Sequence, residues 1–235
     1  LTRGTSNYMC TLMDAYALTG DKQYLKRVEG IIVQTINPNE KISLRNLHNK
    51  ELTWSYLIVL QGLTKYLALK ANLEEFDESF IYARDALLLY TDWMLENEEP
   101  YLDKPELLEF PNKTWIAQDL RKANILFIAS QYTTQSDLYI SKAKEFIDYV
   151  VNNLKKDKEA EFSRILILLM QNQGPEGCFS QYDMNLKRGK IVVDNTLAPK
   201  HSIASITKGI LVDLSLALIN FSFKKEKRWL KYRMQ

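Results

Sequence analysis

Glu109-Phe-Pro-Asn-Lys-Thr-Trp-Ile-Ala-Gln-Asp-Leu-Arg-Lys122 is the densest run of chemically capable side chains in the sequence. Thr114 offers a hydroxyl to the first free backbone N–H groups of a helix. Pro111 biases the residue before it toward extended backbone, so the spacing predicts a helix from Thr114 to about Gln131. Trp115, Gln118, Asp119 and Lys122 then fall on one face, at i, i+3, i+4 and i+7. Ile116, Leu120, Ala123 and Phe127 share the packing face. An aromatic-polar stripe opposite an apolar one, with Glu109 in the loop leading in, suits a sugar site. The ring stacks on a pyranose and the polar groups hold its hydroxyls. The same pattern is met by an amphipathic helix whose polar face is wet and whose tryptophan is a half-buried anchor.

Working outward, the chain reads as helix after helix. Thr5 or Ser6 caps a first helix through Met9, Leu12, Met13 and Tyr16, which Gly20 stops. Asp21 caps a second, ended by Asn37-Pro38-Asn39. A third is expected from Lys50 to Ala71, a fourth from Asp77 to Glu98, and a sixth after Ser136 or Asp137. The nearly all-apolar run Phe162 to Met170 predicts a short buried helix. A small β-hairpin is expected near residues 179–193, and Ser202 caps a further helix. Residues 1–156 form the repeat region, and residues 157–235 a C-terminal helical extension of the same domain.

The helices repeat as pairs. Asn49-Lys-Glu-Leu-Thr-Trp54 and Asn112-Lys-Thr-Trp115 both place Thr-Trp at a helix start. They lie about 60 residues apart, against about 34 for a tetratricopeptide repeat. The partner helices share a second signature. Asp21 leads into Tyr24-Leu25 and Val28, and Asp137 into Tyr139-Ile140 and Ala143. A single helical hairpin cannot bury its apolar face, so neighbouring hairpins must stack. The fold class is therefore all-α, antiparallel hairpins stacked as a ring or an arc.

Composition removes several functions. Lys and Arg number 31 against 29 Asp and Glu, a net charge of +2, without the basic excess of a nucleic-acid binder. Cys10 and Cys178 stand far apart with no CxxC or histidine spacing. They read as ordinary thiols of a reducing, cytoplasmic compartment, with no metal or other cofactor implied. No phosphate-binding glycine loop or nucleophile elbow is present. Lys208 and Asp213 interrupt the apolar stretch after Ser202, which excludes a membrane span there. The chain opens on Leu1 and runs straight into a helical pattern, so it is expected to be a piece of a longer protein.

Hairpin periodicity over roughly residues 3–156, with tryptophan and acids at the starts of alternate helices, resembles the α/α toroid, the six-hairpin glycosidase architecture. The resemblance is to an architecture and not to a named enzyme. This chain has too few helices for a closed ring, so the rest comes from elsewhere or the fold is an open arc. Proteins of that architecture include glycoside hydrolases, polysaccharide lyases and sugar epimerases, with sites where the inner helices begin. The resemblance implies that Glu51, Trp54, Glu109, Trp115, Gln118 and Asp119 surround one cleft, with Arg3 and Asn7 contributed by the first helix.

Glycoside hydrolysis needs two carboxyl groups across the scissile bond, and Glu51, Glu109 and Asp119 are the candidate catalysts. The plainer roles are a first-turn charge for Glu51 and a bridge to Lys122 for Asp119. Arg121 pairs with an acid such as Asp148 or Glu109, or holds a uronic carboxylate in two-pronged fashion. His48, beside the expected cleft, is the better of two histidines for a lyase or epimerase base, and otherwise a surface loop residue. Arg3, Asn7, His48, Trp54, Trp115, Gln118 and Arg121 complete the expected binding set. The expected function is binding or processing of a carbohydrate, an anionic or complex polysaccharide. The alternative is a non-enzymatic helical scaffold that takes a protein partner on its concave face.

Overall fold

Thr2 begins the first helix, one turn earlier than Thr5 or Ser6. Its hydroxyl accepts the Thr5 N–H at 3.3 Å, leaving Thr5 and Ser6 inside α1, Arg3–Thr19. In this computed structural model the structure describes residues 1–155, 157–172, 174, 211, 215 and 222–233. Gly20 closes α1 in the left-handed conformation at φ 72°, which glycine adopts without a side-chain clash. Asp21 caps α2, Lys22–Thr35, by accepting the Gln23 N–H at 2.9 Å.

The expected helix from Lys50 is in fact two, α3 (Lys50–Thr53) and α4 (Tyr56–Asn72). Between them the ladder tightens, with the Leu57 N–H bonded to the Trp54 carbonyl and the Ile58 N–H to the Ser55 carbonyl. Two hydroxyls favour the break. Thr53 donates back to the Asn49 carbonyl at 2.7 Å, and Ser55 reaches the Leu1 carbonyl at 3.0 Å. Asp77 caps α5, Glu78–Asn97, as expected. At α6, Thr114–Ala129, the Asn112 side chain accepts the Thr114 N–H at 3.0 Å, so Thr114 is the first helical residue and not the cap. Similarly, α7 (Ser136–Leu154) takes Ser136 inside its first turn.

The chain falls into two compact units, Leu1–Leu186 and Lys187–Gln235. In the first, α1 packs on α2 and α4, α4 on α5 and α6, and α6 on α7 and on α8, Ser163–Asn172. Helices α1, α4, α6 and α8 are therefore successive neighbours in one row, and α2, α5 and α7 back them. Met9, Leu57, Leu60, Leu63, Leu87 and Leu126 lie in the core between the rows. At Gly62 a Cβ would come 2.7 Å from the Ser6 hydroxyl, so a glycine lets α1 approach α4 closely.

Helix α8 is not buried all round, despite its apolar sequence. Ile165 and Leu168 pack inward, while Leu166, Ile167 and Met170 are exposed. In the second unit the described helix is α9, Phe223–Arg233, the basic tail. The expected hairpin at 179–193 and the helix after Ser202 lie outside the described residues. Every regular element among the described residues is helical. None of those helices is long and apolar enough to cross a membrane.

Candidate functional site

Three helix starts meet. The Ser55 bond to Leu1 ties the start of α4 to that of α1. Helix α3, just before α4, and the loop before α6 are joined where the Glu109 N–H donates to Glu51 Oε2 at 3.1 Å. The Trp54 and Trp115 rings stand at right angles with centroids 6.3 Å apart, each half-buried. Trp115 is fixed further by its indole N–H, which donates to the Phe110 carbonyl at 3.2 Å, and by the Tyr101 ring 4.9 Å away. Glu51 is half-buried and Glu109 exposed, so both carboxylates are open to a ligand.

Asp119 is not at this surface. It is fully enclosed, as is Lys122 one turn on, and the two belong to a buried charge cluster with Glu98 and Lys50. Lys122 Nζ lies 2.8 Å from Asp119 Oδ1 and 2.9 Å from Glu98 Oε2. Both oxygens lie off the hydrogen-bonding direction, so these contacts are Coulombic. The ammonium donates instead to the Glu99 carbonyl at 2.6 Å and sits 3.6 Å from the Tyr101 ring centre. The other Glu98 oxygen receives Lys50 at 2.7 Å and the Tyr56 hydroxyl at 2.8 Å. Asp119 Oδ2 accepts the Tyr101 backbone N–H at 3.2 Å.

Two ammonium groups face two carboxylates, and the pKa values follow the allocation of partners. Burial works to raise the Glu98 carboxyl, but the Lys122 and Lys50 charges outweigh it and hold it below its usual value. Asp119 has Lys122 as its one contacting cation among the described residues, and burial outweighs it and pushes the Asp119 carboxyl up to about 6. Burial likewise works to lower Lys122, yet Asp119 and Glu98 keep it above the ordinary lysine value. Such a closed cluster positions Tyr101 and α6; it offers no face to a ligand.

On the neighbouring face of α6 stands Arg121. Its Nε donates to Gln118 Oε1 at 2.7 Å, one Nη to Gln61 Oε1, and the other to Gln171 Oε1 at a long 3.5 Å. All three acceptors are neutral amides, and no carboxylate pairs with Arg121 among the described residues. The expected pairings with Asp148 or Glu109 are not made. Burial depresses the guanidinium below its usual value, and the nearby Arg3 charge pushes the same way. The Tyr101 hydroxyl is buried without a hydrogen-bond partner among the described residues; burial and the Glu98 and Asp119 charges push its pKa well up, against a lesser pull from this guanidinium.

Of the remaining expected residues, Arg3 and Asn7 are exposed on the first turns of α1. His48 is exposed too, and its ring packs edge-on against Trp93 at 5.4 Å, not against the tryptophan pair. Sequence reasoning missed Gln61, Glu98 and Tyr101. Gln61 had a usable signal, since it follows Trp54 at i+7 and shares its face. Glu98 and Tyr101 flank Glu99-Pro100 in an acidic loop, where no periodicity marks an inward-facing side chain. Among the described residues, no group of three or more His, Cys, Asp or Glu is arranged to hold a metal ion. No protein-family model, no curated protein and no solved structure matches this chain.

Proposed function

We propose that this chain binds a carbohydrate where α1, α4 and α6 begin, in an arc of helical hairpins of the α/α toroid kind. The observation that carries the reading is the Trp54–Trp115 corner. Two half-buried indoles at right angles, 6.3 Å between centroids, present apolar walls of the size a pyranose ring stacks on. Glu51 and Glu109 border the corner through their 3.1 Å contact, and Gln118 and Arg121 lie one to two turns along α6 from Trp115. Of the three expected acids these two reach the surface, so any hydrolysis or elimination falls to them.

The test is a titration of neutral and acidic oligosaccharides, followed by tryptophan fluorescence and calorimetry. Binding is expected in the wild type and is lost in Trp54→Ala and Trp115→Ala, with the fold checked by circular dichroism. Absence of binding to every saccharide, neutral or acidic, removes the proposal. If turnover accompanies binding, Glu51→Gln and Glu109→Gln abolish it while leaving the affinity in place.

A protein-binding scaffold is the second reading. It draws on Leu52, 76% exposed, and Phe110, 68% exposed, which are the immediate neighbours of the bonded Glu51 and Glu109. An oligosaccharide that binds, and that Leu52→Asp and Phe110→Asp leave bound, decides against it.

A further inference from the structure

Arg121 occupies an unusual position for a guanidinium. It is drawn into the protein far enough for burial to depress its pKa, near a second arginine and without a counter-charge among the described residues. Burying an unpaired charge costs several kcal/mol, so such an arrangement persists where something else is gained. The surroundings do not look accidental. Asn172 Nδ2 donates to the Leu168 carbonyl at 2.7 Å, which turns its Oδ1 to accept Gln61 Nε2 at 2.6 Å. Gln61 Oε1 is thereby aimed at Arg121. Gln118 fixes the Nε side. A relay from the α8 backbone, through two amides, holds the guanidinium plane in one orientation.

Three of the five guanidinium N–H groups are engaged in this way, one of them weakly, which leaves two for a ligand. Arg3 adds a second positive charge at the exposed edge. A fixed fork with two free N–H groups and a flanking cation together match a planar anion with two acceptor oxygens.

We infer that Arg121, flanked by Arg3, anchors the carboxylate of an acidic sugar, so that the ligand is a uronic-acid glycan. The inference rests on the carbohydrate reading above, and adds to it the group that the ligand must carry. The tryptophan corner takes the sugar ring; the arginine takes its carboxylate.

The experiment compares oligogalacturonate and oligomannuronate with their methyl esters, with a neutral cello-oligosaccharide, and with a sulfated glycan. The wild type is expected to bind the acids on the order of 10–100-fold more tightly than the esters, the range for a hydrogen-bonded charge. Arg121→Met abolishes that preference, and Arg121→Lys restores only part of it, because an ammonium keeps the charge without the fork. Trp115→Ala weakens acid and ester alike. Equal affinity for acids and esters, or a preference that survives Arg121→Met, overturns the inference while leaving the carbohydrate reading standing. A sulfated glycan bound as tightly as the uronates, with the same dependence on Arg121, also overturns it in favour of a general anion site. No binding to any of the glycans removes both. Thermal melts of the variants separate loss of binding from loss of fold.

Discussion

Two pairs of side chains leave α6 with the same i, i+3 spacing, one residue apart in the sequence, and meet opposite fates. Asp119 and Lys122 turn inward, where Glu98 and Lys50 complete a set of two positive and two negative groups. Gln118 and Arg121 turn toward α4 and α8, where the guanidinium finds the Gln61 and Gln171 amide oxygens and, among the described residues, no acid. A rotation of about 100° along one helix therefore separates a compensated cluster from an uncompensated cation. The lesson is that charge balance distinguishes the two better than burial does. The balanced set holds Tyr101 and the α6 start in place, and the unbalanced one has coordination to spare.

The sharpest way to break the comparison is to remove a member of the balanced set. Lys122→Met removes the cation in contact with Asp119 and leaves Glu98 with Lys50 as its contacting ammonium. Deleting one partner of a buried ion pair costs about 3–5 kcal/mol, and urea denaturation should show a loss of that size. A loss below about 1 kcal/mol, the range of an exposed pair, would mean that the cluster is not compensated as described.

A smaller effect follows from the Asp119 carboxyl. Its pKa rises from 3.8 in the unfolded chain to about 6 in the fold, chiefly through burial. The folded protein thus binds more protons than the unfolded one between these values. The Asp119 contribution is fully present below the unfolded pKa and is lost as pH rises through about 6. Glu98 has its folded pKa depressed, so its contribution runs the other way and is lost on acidification. Comparing wild type with Asp119→Asn isolates the first of these. The stability of wild type relative to the variant should fall by up to about 3 kcal/mol as pH is raised across that window. A difference curve that rises with pH would show that Lys122 dominates Asp119 and that burial does not.

Much of this could be read from the residues, and the parts that could not have physical reasons. The Asp21 and Asp77 caps, the Gly20 stop and the pairing of helices all rest on local chemistry, and local chemistry is what a sequence displays. Thr114 failed as a cap because Asn112, two residues earlier, supplies a better-placed acceptor. The helix from Lys50 broke because Ser55 is bonded to Leu1, a contact 54 residues away in the chain. For the candidate site, the Thr-Trp recurrence did mark two residues that come together. The depth of Asp119 was hidden, since its enclosure depends on Glu98 and Tyr101, which arrive from an irregular loop. The apolar string in α8 misled for a similar reason: hydrophobicity alone does not say which side is covered.

The smallest expected change in stability is also the most discriminating. In Arg121→Met a half-buried cation is replaced by an apolar side chain of similar length. What is lost is the hydrogen bonds to Gln118, Gln61 and Gln171, the last of them long. Each neutral-acceptor bond is worth about 1 kcal/mol net, and the amides can turn toward water at the half-open site. What is regained is the desolvation penalty of a charge that no acid offsets, together with relief from the Arg3 charge. The two sides nearly cancel, so Arg121→Met should lie within about 1 kcal/mol of wild type, or slightly above it. Lys122, the next residue along, should cost several times more for the same replacement. Side chains that a fold can lose without penalty, yet keeps buried and aligned, are retained for what they bind. If Arg121→Met instead destabilised the protein as much as Lys122→Met, the guanidinium would be a structural strut, and the contrast between the two faces of α6 would disappear.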